Sequence, residues 1–197
     1  MILHRICRFI CFVFFVTVLR MEVKGKKNIP RKGGFIVAGN HVSNLDPIGI
    51  GVACPRIMSY MGKKELFGNF FTKRFMLGIN VFPVKRGEAD FGAIREAFKR
   101  VKKGQGLLLF PEGGRQTDTS NAEVLPGVGF LAVKLGVPVI PAYIGGTVRA
   151  MPKGSKFIRP GKVTVIFGEE IPIERSAPYQ DIARQIMDRI RQLSCQV

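Results

Sequence analysis

The chain has 197 residues, 46% hydrophobic and 23% charged, which suits one domain with a sizeable core and excludes wholesale disorder. Its 31 basic and 14 acidic residues leave a net charge of +17, so its expected company is anionic: nucleic acid, an anionic membrane surface or phosphate-bearing ligands. No tryptophan and only three tyrosines argue against a surface built to stack bases. Cys7, Cys11, Cys54 and Cys195 form no C-x-x-C pair, and with two histidines in all no metal site is expected.

The first element is apolar. Phe9–Leu19 is a run of eleven residues without a charge, about 16 Å as a helix against a hydrocarbon layer of ~30 Å. Arg5 and Arg8 precede it; Arg20, Lys24, Lys26 and Lys27 follow. A signal peptide would need a small-residue cleavage site, and a spanning helix would be longer. A helix lying on an anionic membrane, or inserted shallowly, fits both basic flanks. The alternative is a helix packed on the domain. The division expected is therefore 1–20, a membrane-associating helix, and 21–197, the main domain.

Strands and helices then alternate. Phe35–Ala38 reads as a buried strand behind Gly33-Gly34, and Pro47 to Ala53 as a helix with Asp46 as N-cap. Arg56–Met61 reads as a strand. Glu65–Met76 reads as a helix rich in phenylalanine, either lining an acyl-chain groove or packed in the core. Val81–Val84 is a strand, and Glu88–Lys103 an amphipathic helix with Gly104 past its end. Leu107–Phe110 is a strand, Val128–Leu135 a helix closed by Gly136, and Val137–Ile144 and Lys162–Phe167 are strands. Pro178–Cys195 is a final helix with Ile182, Ile186, Ile190 and Leu193 in a stripe. The strands are continuous apolar runs, which marks a sheet covered on both faces. The fold class expected is α/β: one domain with a largely parallel or mixed central sheet and helices on both faces.

Ligands in such folds sit at the carboxyl ends of strands. Asn40-His41-x4-Asp46 follows the first strand, Lys85-Arg86-Gly87 the third, and Pro111-Glu112-Gly113-Gly114-Arg115 the fourth. His41 is the only histidine outside the N-terminal segment. A carboxylate can fix its tautomer and leave the other ring nitrogen free to take a proton. Five residues turn through about 140° on a helix, so the pair must meet in a loop, or Asp46 merely caps and His41 fills a turn. No G-x-S-x-G elbow or P-loop is present. Gly127-x-Gly129-x-x-Ala132 follows a proline instead of a strand, so it is no dinucleotide site.

The blocks Asn40-His41-x4-Asp46, Phe82-Pro83-Val84-Lys85-Arg86, Phe110-Pro111-Glu112-Gly113-Gly114-Arg115 and Val137-Pro138-Val139-Ile140-Pro141 resemble, in order and spacing, those of the glycerolipid acyltransferases. The likeness is greatest to the bacterial 1-acyl-sn-glycerol-3-phosphate acyltransferase branch and covers about residues 20–170. Gly114 and Gln116 depart from the Thr and Ser usual in the third block. The resemblance implies that residues 21–197 are an acyltransferase domain that makes phosphatidic acid. It implies direct attack by a lysophospholipid hydroxyl on an acyl thioester, with His41 as general base and Asp46 orienting it. Arg86 and Arg115 would hold the acceptor phosphate, Glu112 the glycerol part or Arg115, and Gly113 would let backbone approach the ligand. No cofactor is expected beyond acyl-CoA or acyl carrier protein as co-substrate. The expected location is the cytoplasmic face of the cell membrane, with an anionic membrane surface as partner and no nucleic acid. Glycerol 3-phosphate or another lysolipid as acceptor, or a non-enzymatic basic binding module, are the competing readings.

Overall fold

Among the described residues, glycine, proline and polar breaks divide the apolar runs into seven strands and seven α-helices. The computed structural model describes residues 2–85, 87, 90–115, 123–152 and 154–196. In chain order the elements are α1 (Ile2–Thr17), β1 (Glu22–Lys24), β2 (Phe35–Gly39), α2 (Asp46–Ala53), β3 (Met58–Lys63), α3 (Phe70–Gly78) and β4 (Val81–Val84). Then come α4 (Phe91–Lys102), β5 (Gly106–Leu109), α5 (Gly127–Leu135), β6 (Val139–Gly145), α6 (Thr147–Ala150), β7 (Thr164–Phe167) and α7 (Tyr179–Ser194).

The sheet order is β1-β7-β6-β2-β5-β3-β4. β6, β2, β5, β3 and β4 run parallel, whereas β7 lies antiparallel to β6 and carries β1 parallel to itself. The sheet is therefore mixed, with a five-stranded parallel body. Successive side chains of β2 leave on opposite faces. Phe35 and Val37 join a core with Phe15, Leu19 and Ile50. Ile36 and Ala38 join another with Ala97, Leu131, Ile186 and Ile190. Helices α1 and α2 thus cover one face, and α4, α5 and α7 the other.

Helix α1 belongs in part to this core. Phe15 and Leu19 are fully buried, and the Arg8 guanidinium donates to the Cys54 carbonyl at the end of α2. Its outer side leaves Ile6, Phe9, Ile10, Val13 and Val16 exposed. Among the described residues no helix is long and apolar enough to cross a membrane.

The run expected as one helix over Glu65–Met76 breaks into a 3-10 turn (Lys64–Phe67) and α3, because Asn69 and Thr72 form a reciprocal cap that starts a new helix. Phe70, Phe71 and Phe75 point outward, 72%, 82% and 46% exposed, so they do not pack in the core. Gly78 at the end of α3 lies against Leu3, so the end of α3 meets the start of α1. The expected start of α4 at Glu88 falls outside the described residues. Gly129, in the discounted glycine motif, has a packing role: a Cβ there would stand 2.1 Å from the Tyr179 carbonyl oxygen, so glycine lets α5 and α7 approach closely.

Candidate active site

Strand β2 is the switch point of the sheet. Its chain leaves toward α2 on one face, while that of its neighbour β5 leaves toward α5 on the other. A crevice between the two carboxyl ends follows from that divergence. His41 lies beyond β2 and Glu112 beyond β5, both at this crevice.

Asn40 closes the end of β2 onto β6. Its amide donates to the Ile144 carbonyl at 3.0 Å, and its side-chain oxygen accepts from the Ile144 N–H at 2.8 Å. This pair continues the β2–β6 ladder by one side-chain rung and fixes where the next residue, His41, stands.

The loop His41–Leu45 folds around one carboxylate. Asp46 Oδ2 lies 3.1 Å from His41 Nδ1 and accepts the N–H groups of Val42 and Ser43, each at 2.6 Å. Asp46 Oδ1 accepts the Thr147 hydroxyl at 2.6 Å. Asp46 and Thr147 are both 0% exposed. A buried carboxylate requires donors, and this one has four. Asp46 was expected as N-cap of α2. Instead Leu45 holds that position, and Asp46 is the first residue of the helix. Its carboxylate turns back to the preceding loop because that loop, and not the helix, offers converging N–H groups.

His41 is 8% exposed. The Phe110 ring stacks on its imidazole, with centroids 4.1 Å apart and planes 19° from parallel. With Asp46 at Nδ1 and Phe110 on one face, the ring has a fixed plane, and Nε2 is the nitrogen left for a substrate.

Glu112 is the second acid, 4% exposed. Among the described residues neither of its oxygens completes a hydrogen bond. Burial pushes its carboxyl up to about 7, with the Asp46 charge adding to the rise and the nearby N–H groups of His41 and of Glu112 itself and the Arg191 charge opposing it. A buried carboxyl with no completed hydrogen bond beside a histidine is costly for folding and useful for binding a polar ligand group. Gly113 follows at φ +64, where a Cβ would also meet Leu125 at 2.3 Å. Arg115 is half-buried at the end of the same loop. Arg86 and Gln116 lie outside the described residues.

The structure thus brings His41, Asp46 and Glu112 together and keeps Gly113 and Arg115 on the Glu112 loop. Thr147 and Phe110 were not foreseen as functional. Phe110 was readable as part of the third block, but nothing in the sequence ties Thr147 to Asp46. The thiols are free, with Cys54 buried and Cys195 exposed, and among the described residues no group of His, Cys, Asp and Glu could hold a metal ion. A separate cleft at the opposite rim, lined in part by Lys24, Asn28, Phe167 and Arg189, contains none of these residues.

Known proteins resemble this chain. The sequence profile of the family described as Acyltransferase matches residues 20–145. A Bacillus subtilis protein named 1-acyl-sn-glycerol-3-phosphate acyltransferase is 31% identical over 152 residues, which is 77% of this chain and 73% of that protein. The Borreliella burgdorferi protein of the same name is 28% identical over 133 residues, 66% of this chain and 52% of that one. The crystal structure of PlsC from Thermotoga maritima, titled a 1-acyl-sn-glycerophosphate (LPA) acyltransferase, superposes with a TM-score of 0.74 at 26% identity. That match covers 96% of this chain and 79% of the Thermotoga one. By the profile match over most of its length and the 31% identity to the Bacillus protein, this chain belongs to the acyltransferase family.

Proposed function

We propose that the protein transfers an acyl chain from a thioester to the free sn-2 hydroxyl of 1-acyl-sn-glycerol-3-phosphate and so makes phosphatidic acid. The observation that carries the reading is the buried His41–Asp46 pair beside an unpaired Glu112 at the switch point of the sheet. The names of the Bacillus and Thermotoga relatives supply the acceptor.

In this mechanism Nε2 of His41 takes the hydroxyl proton as the oxygen attacks the thioester carbonyl. The C–O bond forms, the carbonyl electrons move to oxygen and return, and the C–S bond breaks. The imidazolium then gives its proton to the departing thiolate. No acyl-enzyme forms, and no cofactor is used. Asp46 stabilises the imidazolium, and base assistance of this kind contributes about 10²–10⁴ in rate. Glu112 binds the glycerol part, which gives its oxygens the partner they lack. Arg115 and Arg86 hold the phosphate, for which guanidinium forks are suited. The Gly113 turn lets the ligand approach the backbone.

We place the protein on a membrane. The exposed apolar side of α1 and the exposed phenylalanines of α3 support this, as do the basic residues that flank α1. The cytoplasmic face is the side on which acyl-CoA and acyl carrier protein are found, and either thioester would serve as donor.

The test is release of free thiol by purified protein given both donors and a panel of acceptors. Thiol release that depends on 1-acyl-sn-glycerol-3-phosphate, with His41→Ala inactive, is expected. Release only with glycerol 3-phosphate or another lysolipid would reassign the acceptor. No release with any acceptor would leave a non-enzymatic binding module.

A further inference from the structure

Between Ala150 and Arg159 the chain leaves the body of the protein as a loop. Its neck is closed by the Arg159 N–H donating to the Ala150 carbonyl at 2.8 Å. On one side the neck adjoins the candidate active site: Thr147 donates to Asp46, and Ser43 Oγ donates to the Met151 carbonyl at 2.8 Å. On the other it adjoins the end of α1, where Gly161 and Val163 donate to the Val18 and Leu19 carbonyls at 3.3 and 2.9 Å.

The tip of this loop is built. Gly154 sits at φ +88, and the Ser155 N–H donates to the Pro152 carbonyl at 3.0 Å. Ser155 Oγ donates to the Phe157 carbonyl at 2.9 Å and accepts the Phe157 N–H at 3.2 Å. These bonds hold Phe157 80% exposed, with Ile158 40% exposed beside it. Holding an aromatic ring in water gains nothing for folding. Lys156 and Arg159 flank the pair on exposed positions, and no acidic residue occurs between Glu123 and Glu169; Lys162, further on, pairs with Glu22 at 3.0 Å.

We propose that this loop is a second membrane contact: Phe157 and Ile158 enter the boundary between headgroups and acyl chains of an anionic bilayer, and Lys156 and Arg159 bind its lipid phosphates. The inference rests on the membrane reading of α1 and extends it. Order Lys156-Phe157-Ile158-Arg159 places cations on both sides of an apolar pair, the arrangement an anionic lipid boundary complements. Because the neck is bonded to the Asp46 loop, a bilayer gripped here lies beside His41, and a lipid acceptor can reach the base without crossing water.

The chain contains no tryptophan, so single-tryptophan variants report one position each. Phe157→Trp tests the loop, Phe9→Trp the outer side of α1, and Gln192→Trp, on α7 against the other sheet face, serves as control. Each full-length variant is mixed with vesicles of phosphatidylglycerol and phosphatidylcholine with brominated acyl chains. Blue-shifted, quenched emission from Phe157→Trp, with Gln192→Trp unchanged, is the expected result. Quenching of Phe9→Trp with none of Phe157→Trp overturns the loop contact and leaves α1 as the membrane element. Quenching of Phe157→Trp without Phe9→Trp supports the loop and overturns the α1 reading. Neither quenched overturns both, and equal quenching at all three positions overturns the loop as a specific contact. Replacing Lys156 and Arg159 together by glutamine should weaken vesicle partitioning about thirtyfold at low salt, at ~1 kcal/mol per basic residue. An unchanged partition would refute the phosphate contact.

Discussion

Asp46→Asn separates the charge of the carboxylate from its geometry. In the native loop Oδ2 faces three N–H groups, from His41, Val42 and Ser43, while Oδ1 faces a single hydroxyl. An asparagine must turn its oxygen to the three N–H groups and its amide to Thr147. A hydroxyl can rotate to accept as readily as it donates, so the Thr147 hydroxyl can accept from that amide. The loop should therefore keep its shape and the protein its fold. What is lost is the attraction between an imidazolium and a carboxylate 3.1 Å away. At an effective dielectric constant of 20 this attraction is worth about 5 kcal/mol. The neutral amide dipole recovers part of it, so the expected fall in kcat is about 10²–10⁴. The assay is thiol release at saturating donor and acceptor, beside the thermal melt. A melting temperature near wild type with kcat down by that factor supports the assignment. A kcat within a few-fold of wild type, in a variant that melts normally, would refute the role given to the pair.

Thr147→Val leaves Asp46 Oδ1 buried without a donor, which should cost about 2 kcal/mol, and kcat should fall while KM stays near wild type; Thr147→Ser restores both. A lowered melting temperature with unchanged kcat would make Thr147 purely structural. Glu112 titrates near 7 in the folded chain against 4.5 in the unfolded one. Ionisation then favours unfolding, so stability is fully present below pH ~4.5 and is lost as pH rises toward 7, by about 3 kcal/mol at most. Glu112→Gln should remove that loss in melts recorded from pH 5 to 8, and an unchanged pH slope would contradict it. Gly129→Ala should destabilise by about 1–3 kcal/mol through the clash with the Tyr179 carbonyl, with thiol release intact below the transition; a normal melt would mean α5 and α7 separate freely. Arg115→Ala should raise the acceptor KM far more than the donor KM, and equal rises would remove the phosphate assignment.

Much of this protein was legible because its signals are local. Five of the strands are continuous apolar runs, since burial on both sheet faces leaves no room for polar residues there; α4 and α7 show apolar stripes, and Gly104 and Gly136 stand at the ends of α4 and α5. The His41-x4-Asp46 spacing and the strand-end glycines of the Glu112 loop were readable for the same reason. β1 was missed because three residues, Glu22–Lys24, carry no period, and pairing with β7 alone makes them a strand. The break at Asn69 was missed because the capping box is polar and sits inside an apolar run. Asp46 was misplaced by one position because local rules assign a carboxylate to the cap, while the N–H groups it serves converge only after the loop closes. Thr147 stands 101 residues from Asp46 and reaches it only because β6 lies beside β2 in the sheet. The unpaired state of Glu112 is likewise a property of burial. Residue type and spacing along the chain determined which groups could do chemistry; strand order decided which of them meet, because the sheet alone brings distant loops to one rim.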